Sequence, residues 1–483
     1  MKKKNKKKIR TFSRVWCSLA LIILVLFCLY LYKVNVLPIK YFIAISFILG
    51  FLEFIYILFA FNKRIKVGFL IFMNIVAFLV ILVECFASYK LYQTYNFIDN
   101  EMKVEETKDI YYLVVNSESK YSKLEEIENK IVYFYNDTDE IDKLKQCVTN
   151  KVNVIFSEVE NYSELTSDLK DNKEKIILIS QGSYDAYIET NEEEKDLFKK
   201  LDEVELVKEV EVTDSKEDIT KKPFTFYISG IDTRTNSMPS RSLSDVNMFI
   251  VVNPQKRTIL MVNTPRDYYV QLHGTKGYKD KLTHAGIVGG LKLSKATVED
   301  ILGTEAEYYA RVNFNAVIKL VDAVGGLTIY NDQKRSFRCW TDRSCVFKPG
   351  NNKVNGKCAL AFARERHAYV TGDRHRGENQ QQVIKLLIDK LSSSKSLITN
   401  YDKILKALNG SFETNLSTAN ITSLVQFQLN DMRGWTFTTS NLDGTTGNSP
   451  TYSYPKSSLS VMYPNEKTIK EAKQKIEEAL KVD

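Results

Sequence analysis

Three long apolar blocks open the chain, and short alternating ones follow. Residues 15–34, 39–61 and 66–88 are each long enough to cross a bilayer, which takes about 20 apolar residues in a helix. From 111 to 212 the runs shorten. "YYLVV", "IVYFY", "VNVIF" and "KIILI" alternate with the charged stretches "YSKLEEIENK", "DEIDKLKQCV" and "YSELTSDLKD". That cadence predicts strands alternating with helices, a small accessory α/β domain over 100–212. It holds no glycine-rich phosphate loop and no cluster of catalytic groups, so it reads as a spacer or partner-binding module. The polar stretch 213–223, ending in Pro223, predicts a linker.

Beyond it, "FTFYISGIDTR" predicts a strand over 224–229, with Asp232 just past its carboxyl end. "VNMFIVVNP" and "TILMVNTPRD" predict two more strands, and the short turn "NPQKR" makes them an antiparallel hairpin. In a hairpin the start of one strand lies beside the end of the other, which brings Asp245 to Arg266 and Asp267. Asp232 joins them if the first strand runs parallel to the third, at the edge where α/β sheets hold ligands. "YYARVNFNAVIKLVDAVGGLTIYN" predicts a strand, a helix over 314–324 and a strand over 327–330, read as a crossover between parallel neighbours.

In "ALAFARERHAYVTGDRHRGENQQQVI", Arg364 and Arg366 are two apart, which is one side of an extended chain and opposite sides of a helix. A shared ligand therefore requires a helix ending near Arg364. Helical periodicity resumes at Asp373, placed as an N-cap. Its buried stripe, Ile384, Leu387 and Leu391, continues backward to Gln380 and Arg376, so the inward face turns from apolar to hydrogen-bond donors near a helix start that itself favours anions. Two guanidinium groups about 6 Å apart repel by roughly 3 kcal/mol at an effective dielectric near 20. Such a cluster needs anions: either the nearby carboxylates, or a metal-bound diphosphate gripped by the arginines. His367 and His375 read as rim residues.

Composition changes little except location. The net charge of +8 comes with eight Lys and Arg before Val15, and Lys63, Arg64 and Lys66 in the second connector, against Lys33 and Lys40 in the first. The positive-inside rule then puts the amino terminus (1–14) in the cytoplasm and everything after Ser88 outside a cell membrane crossed several times. Membrane lipid accounts for the basic tail, which is too short for a helix-turn-helix, so no nucleic-acid partner is expected. Of seven cysteines, Cys339 and Cys345 bracket "CWTDRSC" and are candidates for a small disulfide loop in an oxidising exterior. No Cys/His spacing fits zinc.

The stretches "YISGIDTR", "SDVNMFIVVNP", "TPRDYYVQL", "KDKLTHAGI", "YYARVNFNAVIKLVDAVGGL", "ALAFARERH" and "GDRHRGENQQQVI" occur in order over 224–391, and together they resemble the LytR-CpsA-Psr family of cell-envelope phosphotransferases. The spans and extra module resemble its capsule-type branch. The resemblance implies an α/β/α catalytic domain with a mixed central sheet over 224–483, whose core motifs occupy 224–391. It implies transfer of a glycopolymer, capsular or teichoic-acid-like, with its linking phosphate from a polyprenyl pyrophosphate carrier to peptidoglycan. Asp232 and Asp245 match the metal-site acids, for Mg2+ or Mn2+. Arg266, Arg364, Arg366, Arg376 and Gln380 match the pyrophosphate-binding groups, and Asp373 a further acid acting as base or supporting the arginines. Catalysis thus falls to Asp245, Arg266, Arg364, Arg366 and Asp373. Two departures stand out: the family's Arg-x-Asp is stretched here to "RSLSD" from Arg241, and Asn379 stands where many members carry arginine. The alternatives are a polyprenyl-diphosphate phosphohydrolase and a non-catalytic polysaccharide-binding regulator.

Overall fold

The computed structural model describes residues 3–96, 106–138, 140–160, 162–167, 169, 171–190, 192–209, 218–231, 238–393, 401–408, 412–455 and 457–482. The chain divides into two units. One is Met1–Glu101 with Ser215–Thr220 and Ser417–Arg433; the other is Met102–Asp214 with Lys221–Leu416 and Gly434–Asp483.

In the first unit the apolar blocks form α1 (Lys3–Val34), α2 (Ile39–Phe61) and α3 (Val67–Asn96), all long and apolar enough to cross a membrane. Helix α1 starts and α3 ends beyond the apolar blocks, because neither basic nor polar residues interrupt helical hydrogen bonding. Pro38 and the Asn62 turn do, since proline lacks the donor and fits just ahead of a helix. Cys17, Tyr56, Ala60 and Ala77 pack inward, while many Leu and Phe side chains face out, as lipid-facing helices require. Arg10 donates to the carbonyl oxygens of Asn62 (3.2 Å) and Ile65 (2.7 Å) at one end of the bundle. At the other, Asn35 Oδ1 accepts from Gln426 (3.0 Å) on the helix Thr418–Asp431.

The second unit holds two larger sheets. The accessory one comprises β1 (Glu106–Asn116), β2 (Ile131–Tyr135), β3 (Ile155–Val159), β4 (Ile176–Ser180) and β5 (Phe198–Glu209), in the order β3-β2-β4-β1-β5. Strands β2, β3 and β4 are parallel, whereas β1 is antiparallel to both β4 and β5. Alternation along β1 sends Leu113 and Val115 into one cluster and Tyr112 and Val114 into another, so both faces are covered. Helices α4 (Ile141–Thr149), α5 (Tyr162–Ser167) and α6 (Gln181–Thr190) connect the strands. "YSKLEEIENK" forms only the 3-10 turn Leu124–Ile127, held by Glu126 accepting from Ser122 and Lys123 backbone amides; that bonding closes a turn where the composition predicts a helix.

The second sheet is built on β6 (Phe224–Ile231), β7 (Ser244–Asn253) and β8 (Thr258–Thr264), antiparallel in succession as the hairpin turn demands, so β6 and β8 run the same way. After the short pair β9 (Tyr269–Val270) and β10 (Asp280–Lys281), helices α7 (Leu282–Val288) and α8 (Gly290–Leu302) lead to β11 (Tyr308–Asn313), which lies parallel to β6. Next come α9 (Phe314–Ala323) and the ribbons β12 (Leu327–Asn331) with β15 (Gly350–Val354), and β13 (Phe337–Arg338) with β14 (Val346–Phe347). Helices α10 (Gly356–Ala363) and α11 (Asp373–Leu391) follow, then β16 (Phe412–Thr414), β17 (Thr436–Asn441) and the ribbon β18 (Gly444–Pro450) with β19 (Ser458–Pro464). The sheet order is β16-β11-β6-β7-β8-β17, a mixed sheet.

Phe249, Val251, Leu260 and Val262 point to one face, against α8 and the helix Glu466–Leu480; Met248, Ile250, Ile259 and Met261 point to the other, toward α11. This is the expected α/β/α sandwich. The expected crossover from β11 through α9 to a parallel neighbour is not formed: β12 pairs with β15 outside the sheet. The residues of β12 alternate buried and exposed, a one-sided pattern that suits a surface ribbon and not a strand covered on both faces.

Candidate active site

The β7–β8 register pairs Asn247 with Thr264, so Asp245, at the start of β7, comes beside Arg266, just past the end of β8. Arg266 Nη1 meets Asp245 Oδ1 at 2.6 Å, and Arg266 Nε lies 3.7 Å from Asp267 Oδ1. Lys281 adds a 2.6 Å bond to the same Asp267 oxygen. Burial works against ionisation of Asp267, but Lys281 and Arg266 outweigh it and hold the carboxyl below its usual range. Asp232 lies outside the described residues, just beyond β6.

Helix α10 ends at Ala363 with Arg364 as its cap, so the chain from Arg364 is no longer helical, as two arginines serving one ligand require. Between them Glu365 is buried and turned away. One carboxylate oxygen accepts from Trp340 N–H (2.5 Å) and the other from Ala368 N–H (3.0 Å). Helix α11 begins at Asp373, but the N-cap is Gly372 and no side chain caps it. The expected cap is therefore corrected: Asp373 sits in the first turn and its Oδ1 faces Arg376 Nη2 at 2.5 Å. Burial raises the Asp373 carboxyl above its usual range; Arg376 pulls it down and Asp267 pushes it up. Asn379 is buried and donates to Phe362 O (3.0 Å), fastening α11 to α10, so at this position the side chain is a structural bracket.

These elements enclose a cavity of about 450 Å³. Among the described residues, five cations line it, Arg266, Lys281, Arg364, Arg366 and Arg376, along with Gln380, against the carboxylates of Asp245 and Asp267. Counting Asp373 on Arg376, the acids remain outnumbered, so the carboxylates in view do not neutralise the cluster. Its edge is shared with a second cavity of about 240 Å³ between the sheet and α9, α10 and α11. Phe314, Arg364 and Gln380 line both; the remainder of the second is apolar, including Ile228, Val246, Leu320, Ile384 and Leu387. Arg364 also sits 4.9 Å over the Phe314 ring, at the boundary between charge and oil. Arg374 lies away from the cavity, paired with Asp443 (3.1 Å) and Glu378 (3.6 Å). His367 packs at a tilt against Trp340 at the cavity wall, with ring centroids 4.7 Å apart, and His375 stacks on Tyr369.

Asp245 and Asp267 are hard oxygen donors of the kind magnesium takes, though no three His, Cys, Asp or Glu side chains converge as a metal set among the described residues. The disulfide expectation is also corrected. Cys345 is bonded to Cys358, while Cys339 is buried and free. Cys339 N–H bonds Cys345 O (3.0 Å) across the β13–β14 ribbon, whereas Cys358 comes from the first turn of α10. The bridge ties the Trp340 loop to the helix that delivers Arg364.

The residues missed from sequence are Lys281, His284 and, in its actual role, Arg241. Lys281 and His284 lie in "KDKLTHAGI", which reaches the cavity because Thr283 N–H bonds Arg266 O (2.8 Å). Arg241 points away from it. Its guanidinium donates to Ile287 O (3.1 Å) and Val288 O, and its charge is favoured by Asp137, just past β2 of the first sheet. Asp137 also accepts from Tyr111 (2.7 Å) and Tyr162 (2.6 Å) hydroxyls.

A mixed α/β sandwich thus carries a cation-lined cavity that adjoins an apolar one. Residues 184–469, more than half of the chain, match the LytR_cpsA_psr family, and the protein belongs to it. Biofilm regulatory protein A of Streptococcus mutans is 31% identical over 42% of this chain and 52% of its own length. The polyisoprenyl-teichoic acid–peptidoglycan teichoic acid transferase TagU of Enterococcus faecalis is 33% identical over 41% of this chain and 63% of its own. The chain thus spans between 52% and 63% of the length of these curated relatives. Among solved structures, Bacillus subtilis TagV is 28% identical with a TM-score of 0.45, over 54% of this chain and 98% of that one.

Proposed function

We propose that the protein is a membrane-anchored phosphotransferase that moves a glycopolymer, capsular or teichoic-acid-like, with its linking phosphate from a polyprenyl pyrophosphate carrier to peptidoglycan. The observation that carries this reading is the pair of adjoining cavities: cations outnumber acids in one, hydrocarbon lines the other, and Arg364 and Gln380 belong to both. A polyprenyl diphosphate has that division of chemistry. The name of the Enterococcus relative describes a transfer of the same kind.

In this mechanism Arg364, Arg366 and Arg376 grip the diphosphate oxygens, and Gln380 donates at the junction with the lipid. Arg266, steered by Asp245, faces the same oxygens. A peptidoglycan sugar hydroxyl attacks the sugar-linked phosphorus, and polyprenyl phosphate leaves with the electron pair of the bridging bond. The fixed cations stabilise charge that develops on the diphosphate, where positioning and electrostatics provide most of the catalysis. A Mg2+ or Mn2+ ion held by Asp232 and Asp245 would add Lewis-acid stabilisation of the diphosphate.

The fewer basic residues of the first connector, read by the positive-inside rule, favour the α1–α2 connector and the chain after α3 lying outside the cell. The test is transfer by the purified chain from lipid-linked polymer to peptidoglycan. Arg364→Ala and Arg366→Ala are each expected to lower the rate by about 10²–10³, the loss typical of a removed charge-stabilising donor. Transfer at the unaltered rate contradicts the reading, and polymer released without linkage identifies a hydrolase.

A further inference from the structure

The proposed transfer needs a group to take the proton of the attacking hydroxyl, and the carboxylates of the cavity are poorly suited to it. Asp245 faces Arg266 and Asp267 faces Lys281, both at 2.6 Å, and carboxylates met so closely by cations are weak bases. Asp373, whose carboxyl burial raises, is outside the lining of the cavity, with its Oδ1 turned to Arg376 at 2.5 Å. His284, the third residue of α7, lines the same cavity and is otherwise buried.

Its setting is specific. Asp280 has no exposed surface and its four hydrogen bonds are divided between its two oxygens. Oδ1 meets His284 Nδ1 (2.6 Å) and accepts from Lys281 N–H (2.7 Å); Oδ2 accepts from Ser453 N–H (2.8 Å) and Ser453 Oγ–H (2.5 Å). Burial opposes charge on Asp280, but His284 and Ser453 outweigh it and hold the carboxyl below its usual range, so it is ionised at neutral pH. An ionised carboxylate only accepts, so a neutral imidazole in this position carries its proton on Nδ1 and leaves the lone pair on Nε2, on the far side of the ring from Asp280. Tyr454 packs edge-on against the ring at 5.5 Å. The remaining charged neighbours are Lys281 on β10 and, around the cavity, Arg266, Asp245, Asp267, Arg364, Arg366 and Arg376.

We propose that His284 is the general base of this site, with Asp280 as its positioning residue. In the step, the acceptor oxygen forms a bond to phosphorus, the bridging P–O bond breaks and polyprenyl phosphate takes its electron pair. The hydroxyl proton passes to Nε2, the Nδ1 proton stays with Asp280, and the imidazolium returns its proton to water. An imidazole oriented by a buried carboxylate is the arrangement general-base catalysis uses, and it contributes typically about 10²–10⁴ in rate.

This inference rests on the transfer reading, so the experiment separates the two. The full chain in detergent is given a polyprenyl diphosphate bearing a short glycopolymer plus peptidoglycan, and release of polyprenyl phosphate is followed across pH, for the wild type, His284→Gln and Asp280→Asn. Binding of a short-chain prenyl diphosphate is measured by equilibrium dialysis. The wild-type rate is expected to rise with pH along one limb, as the group that takes the hydroxyl proton loses its own. His284→Gln should lower kcat about 100-fold or more and lose that limb, while diphosphate binding stays within about threefold. Asp280→Asn removes the charge that stabilises imidazolium and so should move the limb to lower pH. A His284→Gln enzyme within about threefold of the wild type, or keeping its pH limb, overturns the proposal. Should that variant fail to fold, the Asp280→Asn profile decides: an unmoved limb overturns it. Loss of release in Arg364→Ala with full activity in His284→Gln removes this inference alone, whereas unaltered release in Arg364→Ala removes the transfer reading.

Discussion

At the scale of residues, the cavity is a balance of charge set by strand ends. Asp267 shows the sign of that balance. Its folded-state pKa is depressed, so it contributes stability above the unfolded value of about 3.9 that is lost as pH falls through the folded one. Denaturation profiles of the full chain in detergent should therefore show the wild type losing stability toward acid pH, with a smaller loss in Asp267→Asn; identical acid profiles contradict the ion-pair account. The arginines were legible because spacing carries geometry: Arg364 and Arg366 share a side only if the helix stops, and it does. Lys281 and His284 were not, because nothing in the periodicity of "KDKLTHAGI" shows that a tertiary bond from Thr283 to Arg266 tucks it beneath β8. Asp373 was read as a cap from residue type alone, while Arg376, one turn on, takes its carboxylate.

At the scale of elements, the apolar cavity exists because α9, α10 and α11 cover the sheet without filling the space above Ile228 and Val246. Ile384→Trp adds bulk there and should weaken binding of long prenyl diphosphates while leaving inorganic diphosphate binding unchanged, at a stability cost of about 1–3 kcal/mol. Equal loss for both ligands contradicts a lipid role for the cavity. The bond between Cys345 and Cys358 encloses a separation of 13 residues, for which chain entropy gives about 3 kcal/mol. Cys358→Ser should lose stability of that order, and peptide mapping of the non-reduced protein should find Cys339 as a free thiol. The hairpin β7–β8 was readable because a short turn admits only one topology. The fate of β12 was not, since a strand after a helix is locally the same whether it joins the sheet or leaves it. Strand β5 went unread for a related reason: charged residues in "FKKLDEVELVKE" mask the alternation that buries Val204 and Leu206.

At the scale of the whole molecule, the second unit couples its two sheets through the segment before Asp245. Ser240 N–H bonds Asp109 Oδ1 on β1 (2.9 Å). Backbone at Arg241 and Ser242 passes so close to Gly182 and Gly286 that an added Cβ would lie 2.5 and 2.1 Å from their carbonyl oxygens. Burial works against the Arg241 charge, yet Asp137, Tyr162 and Tyr111 outweigh it and raise its pKa. Arg241→Met removes the donor to Ile287 O and Val288 O and the cation whose charge faces Asp137, and should destabilise the chain by about 1–3 kcal/mol, the usual effect of leaving a buried polar group without its partner. A melt unchanged by that substitution contradicts the coupling. The stretch "RSLSD" thus sends Arg241 away from the cavity toward Asp137 beside the first sheet, which no local pattern announces. The central claim is that one ligand occupies both cavities, and a crystal structure with a prenyl diphosphate bound tests it most directly. The account predicts the diphosphate between Arg364, Arg366 and Arg376, with the prenyl chain running past Phe314 along Ile384 and Leu387. A diphosphate bound elsewhere, or a chain lying outside the apolar cavity, contradicts it.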